Sequence, residues 1–180
     1  MLIENFKPFF SNEYLIKFVT QDWEHRQMLE LRQSVFCEEQ GIFEGDDMDG
    51  IDRIATPIVA IACVAGLPDQ VVGTVRIHQD QAGVWWGSRL AVDQDYRKQG
   101  RLGAALIRLA VTSAHAQGCN TFLAQVQSRN VLLFRRLHWR PLKEISVHGR
   151  PHHLMQADLK WYPPYANGAI GFITTGRIAA

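Results

Sequence analysis

The stretch from Leu90 to Ile107, LAVDQDYRKQGRLGAALI, constrains the fold more than any other. A short apolar run ends at Val92. A basic turn follows, with Arg97, Lys98 and Arg101 around Gly100 and Gly103, and then an Ala/Leu-rich helical pattern begins. The order is strand, turn, helix. A helix N-terminus carries backbone N–H groups without intrahelical partners, which makes it a ready site for phosphates. Read by itself, the turn fits either a tight connection with solvent-facing basic residues or a loop that binds an anion such as a pyrophosphate.

At 180 residues the chain fits one domain, expected over residues 1–160, with 161–180 as a C-terminal tail or arm. Nineteen Lys and Arg against eighteen Asp and Glu leave a formal charge of +1. Such a balance gives no global field toward nucleic acid or acidic membranes. No apolar run is long enough to span a bilayer, and the N-terminal residues lack the pattern of a secretory signal. Cys37, Cys63 and Cys119 are widely separated and form no CxxC, which reads as reduced thiols and a cytoplasmic protein.

Hydrophobic spacing predicts a strand over Tyr14–Thr20 and a helix over Trp23–Glu39 capped by Asp22. A loop or short helix follows over Gly41–Asp52. Pro57–Ala65 is apolar throughout and reads as a buried strand, with a turn over Gly66–Gln70. Strands are expected over Val71–His78 and Val84–Val92, where Gly87 suits a β-bulge. Next come a helix from Gly100 or Arg101 to Ala116, stopped by Gly118, and a strand over Thr121–Gln127. A short helix over Asn130–His138 precedes strands over Arg140–Val147 and His152–Leu159.

This order and the loop together resemble the GCN5-related N-acetyltransferases (GNAT) over Tyr14–Leu159. The resemblance implies an α/β (α+β) fold, with a mixed, mostly antiparallel sheet of about seven strands flanked by helices. The order is β-α-(loop)-β-β-β-α-β-α-β-β. The family's loop pattern is Arg or Gln, two residues, Gly, one residue, then Gly or Ala. Arg97 and Gly100 match it, but Leu102 occupies the second small-residue position and Gly103-Ala104 come one place late. By this resemblance the chain uses acetyl-CoA or another acyl-CoA as co-substrate, with no metal. Leu90, Ala91 and Val92 would meet the pantetheine arm. Arg97, Lys98, Gln99, Gly100, Arg101, Leu102, Gly103 and Ala104 would surround the pyrophosphate, and Asn130 and Phe134 would flank the arm. Asn130 also fits a plain helix cap.

A second constellation joins Leu31-Arg32-Gln33-Ser34-Val35-Phe36, the acidic run Asp47-Met48-Asp49-Gly50-Ile51-Asp52, Arg76, and Ser88-Arg89. The set resembles the family branch that includes the acyl-homoserine-lactone synthases. Trp86 stands where those synthases often have Glu. Arg32, Asp47, Asp49, Asp52, Arg76 and Arg89 form a substrate-side network in this reading. It either recognises a charged substrate or fastens the loop to the sheet. The acidic run is not an EF-hand, because Gly45 and Thr56 stand where ligating acids are needed. LRQSVFCEEQGIFEGDD, VWWGSRLAV, LFRRLHWRPL and HGRPHHLMQADL are similar to a bacterial group, the nitrogen-starvation N-acetyltransferases. Their genes lie beside a nitrilase, a radical-SAM protein and an aminoimidazole-ribonucleotide-synthase homologue. The similarity implies nitrogen or nitrile metabolism, a small-molecule amine acceptor, and a homodimer or an association with neighbouring-gene products.

Acetyl transfer to an amine needs the amine deprotonated, the carbonyl polarised and the thiolate protonated. No covalent intermediate is required, and Cys37 on its apolar stripe reads as an inert thiol. Phe134 stands where relatives often have a proton-donating Tyr, so water, His138 or a less familiar group would protonate the thiolate, and His138 is the candidate acid among the side chains. A cap at the end of its helix is the other reading of His138. Glu39 is the candidate base, with a solvated surface carboxylate as the alternative. His148, His152 and His153 fit substrate contact better than a metal, since adjacent His152 and His153 face opposite sides of a strand. Trp85 and Trp86 alternate likewise, one toward the core. An acyl-CoA-dependent N-acyltransferase is the leading expectation. A CoA-binding module with weak turnover and a lactone-synthase-like acyltransferase are the alternatives.

Overall fold

The run from Thr56 to Val64 has no polar face, and it becomes a strand buried on both sides. The computed structural model describes residues 9–99 and 101–176. In it β1 spans Glu13–Phe18, β2 Thr56–Val64, β3 Leu67–Gln81 and β4 Val84–Val92. After these come β5 Thr121–Gln127, β6 Trp139–Val147, β7 Arg150–Ala157 and β8 Phe172–Thr175. The helices are α1 Asp22–Arg32, α2 Leu102–Ala116 and α3 Val131–Arg136. One eight-stranded sheet has the order β6-β7-β5-β4-β3-β2-β1-β8. Every neighbouring pair is antiparallel except β4 and β5. On one face Val59, Ile61, Val71 and Ala91 meet Met28, Leu31, Val35 and Phe36. On the other, Ile58, Ala60 and Val72 belong to a core with Leu102, Leu106 and Leu109 of α2. Successive residues of β2 therefore enter two different cores, which is why the strand cannot alternate polar and apolar.

The expected helix over Trp23–Glu39 is helical but not uniform. After Arg32 the chain widens into π-helix over Gln33–Glu39, with the Gln40 N–H donating to the Val35 carbonyl at 3.0 Å. Gln21, not Asp22, is the N-cap of α1. The Glu24 carboxylate accepts from the Thr20 and Gln21 N–H groups at 2.8 and 3.1 Å and from Lys17 at 2.6 Å. The hairpin turns are tighter than expected. Ala65-Gly66 joins β2 to β3 and His148-Gly149 joins β6 to β7, with positive φ at all four residues. This is two-residue turn geometry that matches strand twist, and it turns most of Gly66–Gln70 into strand.

Two departures from regular pairing shape the sheet. β4 and β5 pair only from Val84–Thr121 to Gly87–Ala124. Beyond that point the two strands part, and among the described residues the β4 edge facing β5 has no strand partner. On the opposite edge, Arg76 pairs with Ser88 and Thr74 with Ala91, so Arg89 and Leu90 together oppose Val75 alone. This is a β-bulge, and Arg89 has φ 55° within it. The bulge expected at Gly87 therefore lies two residues later. Gly87 serves a different contact, since a Cβ there would lie 3.1 Å from the Phe122 ring.

The segment after Trp161 packs as an arm and adds β8, an eighth strand, to the edge of β1. Tyr162 donates to the Leu137 carbonyl, and Tyr165 donates to the Gly171 carbonyl at 2.7 Å. Among the described residues no helix is long and apolar enough to cross a membrane. Gly171 has φ 71°, and a Cβ there would overlap the Ile16 carbonyl oxygen. Gly171→Ala is expected to release β8 while the remaining sheet persists. The left-handed backbone costs about 1–2 kcal/mol for an L-residue, before any overlap is counted. Hydrogen exchange should then show faster exchange confined to β1, β8 and the arm, and unchanged protection of β1 would contradict the assignment.

Candidate functional site

Acidic and basic side chains separated by up to 42 positions meet beside the bulge. Arg32 Nε lies 2.8 Å from Asp47 Oδ2, and Arg32 Nη1 lies 2.7 Å from Asp52 Oδ1. Arg76 Nη1 lies 2.7 Å from Asp49 and 2.8 Å from Asp52. Arg89 Nε lies 2.9 Å from Asp47, and its Nη2 lies 3.2 Å from Asp49. Arg76 Nε also donates to Ser88 Oγ at 2.9 Å, and Arg89 donates to the Asp47 carbonyl. The Arg32, Arg76 and Asp47 side chains are each 2 % exposed, whereas Asp49 is 36 % exposed. Burial raises the proton affinity of Asp52, but hydrogen bonds from Arg32, the Asp49 N–H and Arg76 overcome it. They hold the Asp52 carboxyl well below the usual range. Arg76 does the same for Asp49 against a smaller burial effect. Three guanidiniums neutralise three carboxylates, so the six expected residues do come together, chiefly as a clamp.

The clamp fixes the segment Gln40–Asp49 over the gap between β4 and β5. The Arg89 guanidinium lies 4.6 Å from the Phe43 ring centroid, and Phe43 meets His148 edge-on at 4.9 Å. Gln40 accepts from Gln127 at 3.0 Å and from Arg150 through its backbone carbonyl. The loop thereby bridges β4 to the hairpin of β6 and β7. Beneath it lies a cavity of about 670 Å³. Of the residues expected at a cofactor, Leu90, Asn130 and Phe134 line it, and of the network Asp49, Arg76 and Arg89 do. Asn130 occupies the N-cap position of α3 but makes no side-chain cap bond, so capping does not account for its amide.

His78 and Asp80, with Arg76, line the same cavity, opposite Trp86 on β4. The alternation Arg76-Ile77-His78-Gln79-Asp80 puts the three on one face of β3. The strand expected over Val71–His78 extends to Gln81, and only that extension brings Asp80 into the pattern. His78 Nδ1 is buried and has no hydrogen-bond partner. Burial, reinforced by the Arg76 charge, pushes the imidazole below its ordinary value of 6.5, so it is neutral at pH 7. Trp85 is in the core and Trp86 faces the cavity. His152 lines the cavity, while His153 contacts Ser128 Oγ at 3.0 Å.

A second cavity, of about 930 Å³, opens between α2, the end of α3 and the C-terminal arm. Arg97, Lys98, Arg101, Arg108, Arg136 and His138 line it, and no carboxylate does among the described residues. The N-terminus of α2 adjoins it. Arg101 is the N-cap with φ 50°, and the first intrahelical bond runs from the Ala105 N–H to the Arg101 carbonyl at 3.1 Å. The N–H groups of Leu102, Gly103 and Ala104 precede that bond and add positive character. Leu102 is 1 % exposed and points into the core. Gly103 has open space where a Cβ would be. The large residue in the loop pattern therefore faces away from the helix terminus. Gly100 lies outside the described residues. Gln99 lines neither cavity, nor do the buried Ala91 and the partly buried Val92, whose carbonyl accepts from Arg97 Nε at 3.1 Å.

The two residues expected to be catalytic lie apart from the first cavity. Glu39 is held by Arg97 in a bidentate pair at 2.6 and 2.7 Å. That hydrogen bonding keeps its carboxyl below the usual range and makes it a poorer base. His138, with φ 65° at the end of α3, stacks on Trp161 at 3.7 Å and borders the second cavity. Cys37 is half-buried, and burial with the Asp47 carboxylate pushes its thiol up, consistent with an inert group.

Comparison with known proteins fits this geometry. The model of the acetyltransferase (GNAT) family matches residues 13–139. A Bacillus subtilis (strain 168) protein named as an acetyltransferase is 27 % identical over 145 residues, covering 78 % of this chain and 93 % of that one. A solved structure described as an N-acetyltransferase from Lactobacillus plantarum has a TM-score of 0.70 at 22 % identity, covering 80 % of this chain and 97 % of the other. A CoA-dependent acyl-homoserine-lactone synthase, solved with SAM and isopentyl-CoA, has a TM-score of 0.66 at 16 % identity. That match covers 81 % of this chain and 83 % of the other.

The clamp predicts its own failure. Arg32→Ala leaves Asp47 buried without its main partner, and loss of about 3–5 kcal/mol is expected in urea unfolding. Acid should act on the same groups. Asp49 and Asp52 have folded-state proton affinities below the ordinary Asp value of 3.8. Their contribution is therefore complete above that pH and is lost as pH falls below it. Melting temperatures measured downward from pH 5 should drop more steeply in the parent than in Asp52→Asn, and parallel curves would refute the assignment.

Proposed function

The chain belongs to the acetyltransferase (GNAT) family, and from that premise we propose that it transfers an acyl group from acyl-CoA to the amine of a small metabolite. One observation carries the reading. The bulged strand β4, parted from β5 beyond Gly87, leads directly to the N-terminus of α2 and its basic cavity. A thioester arm lying between the strands would find unpaired backbone, and its pyrophosphate would find N–H groups and guanidiniums. Leu90, Asn130 and Phe134 would contact the arm, and Arg97, Lys98, Arg101 and Ala104 would meet the phosphates. Arg97 would exchange Glu39 for a phosphate oxygen on binding.

In the proposed reaction the acceptor nitrogen attacks the thioester carbonyl within a ternary complex. The C–N bond forms, the C–S bond breaks, and the electron pair leaves on the CoA sulfur. Backbone N–H groups near Leu90 and Ala91 would stabilise the oxyanion. Neutral His78 is the proposed base, directly or through one water, and Asp80 stands on the same strand face to stabilise its charged form. Phe134 cannot protonate the leaving thiolate, so water serves that step. The residues quoted for the nitrogen-starvation group support a role in nitrogen or nitrile metabolism in the cytoplasm, with neighbouring-gene products as partners. The likeness to a lactone synthase and the resemblance of the Arg/Asp set to that branch favour a second reading, acyl transfer in the synthesis of a lactone-type signal.

Calorimetry with acetyl-CoA tests the donor. Arg101→Ala should weaken binding about tenfold or more, the worth of one charge-assisted hydrogen bond. Unchanged affinity would move the phosphates elsewhere. Release of CoA across a panel of small amines then separates a working enzyme from a binding module. For an amine that turns over, His78→Gln should lower kcat/KM by about 10²–10⁴ with little change in acetyl-CoA affinity. In the parent, kcat/KM should rise with pH through a value below 6.5, since His78 must be neutral to accept a proton. Persistence of that limb in the variant would exclude His78.

A further inference from the structure

The cavity under Gln40–Asp49 does not end at the sheet. It continues through the gap between β4 and β5 to the face covered by α2 and α3. There it is lined by Ile107, Ala110, Val111, Phe122, Phe134 and Trp139. Each of these is at most 6 % exposed, so the inner part is a chamber within the core. Three aromatic rings wall it. Phe122 and Phe134 meet Trp139 edge-on, with centroids 5.7 and 5.1 Å away. The indole N–H of Trp139 is already donated to Tyr162 Oη at 3.1 Å. None of these six side chains therefore offers a free hydrogen-bonding group. Gly87, which lines the cavity where the strands part, presents no side chain into the passage.

An internal space of this kind suits neither water nor the amide-bearing pantetheine arm, because polar groups entering it would lose their partners. Alkyl chain is the matter that fits. It adjoins the point where the strands part, beside the Leu90 bulge at which the thioester carbonyl would sit. We propose that the inner chamber receives acyl groups longer than acetyl, so that the chain accepts CoA thioesters of alkyl acids in addition to acetyl-CoA. The inference rests on the donor reading above and names its acyl range. The aromatic wall sets the upper length, and Ala110, the smallest of the six inner side chains, sets the width.

Calorimetry with free CoA and with acetyl-, butyryl-, hexanoyl-, octanoyl- and decanoyl-CoA tests it. Affinity should rise from acetyl-CoA by about fourfold per added methylene, the worth of burying one CH₂ group, until the chamber is filled, and then fall. Ala110→Leu should abolish the rise, and melting curves show whether that variant is folded. Should it not fold, Phe134→Ala enlarges the chamber instead and should move the optimum to a longer chain. Affinity that is flat or falls from acetyl-CoA onward overturns the chamber while leaving the donor reading intact, as does an optimum unmoved by both variants. Failure of free CoA and all five thioesters to bind overturns the donor reading and this inference together.

Discussion

The ion pair between Arg32 and Asp47 is the constraint on which the rest of the site hangs. Both side chains are 2 % exposed, and taking them out of water is costly unless each finds its partner. Their pairing fixes the loop before Asp49 against the π-helical end of the first helix. Asp47 in turn receives Arg89 through its carboxylate and its carbonyl. Arg89 is a left-handed non-glycine residue, a conformation that costs about 1–2 kcal/mol, and its hydrogen bonds oppose that cost. The bulge, the parting of the strands and the covered cavity thus follow from ion pairs between residues 15 to 42 positions apart. A network with equal numbers of guanidiniums and carboxylates has little charge left for a ligand. Its contribution to function is geometric.

Much of the architecture was legible because it is local. The apolar run Pro57–Ala65, the Gly118 stop and the strand Thr121–Gln127 each carry their signal within a few residues. The misplaced bulge shows where locality ends. Gly87 is the residue that tolerates bulge geometry most easily, yet the bulge falls on Arg89, because distant aspartates hold that side chain and the Phe122 ring occupies the space beside Gly87. The arm after Trp161 has no periodicity, since its strand is four residues long and is defined by its neighbour β1. The turns are shorter than their composition suggests because Ala65 and His148 adopt left-handed backbone that their residue types do not advertise.

The candidate site divides in the same way. The glycine-containing turn and the six-residue network are recognisable as motifs; the structure brings the six network residues together, and of the turn it sets Arg97, Lys98, Arg101 and Ala104 around the second cavity. Glu39 and His138 were nominated by position along the chain, and each is engaged elsewhere, by Arg97 and by Trp161. His78 carries no signal in the sequence because its chemistry lies in burial and in the neighbouring Arg76 charge. Neither is visible until β3 is placed beside β4.

The pairing of β4 with β5 has a consequence for how the molecule is held together. It is the one parallel junction among the described strands, and only four residue pairs long. On either side lie sheets built from hairpins, which can form early from local contacts. The molecule is in this sense two half-sheets sutured along a short seam, with α2 as the thread between them. Anything that lodged in the seam would touch both halves and would be bound by the sutured form alone. Its occupant would then do the work of missing strand pairs, raising stability with the logarithm of its concentration over its Kd.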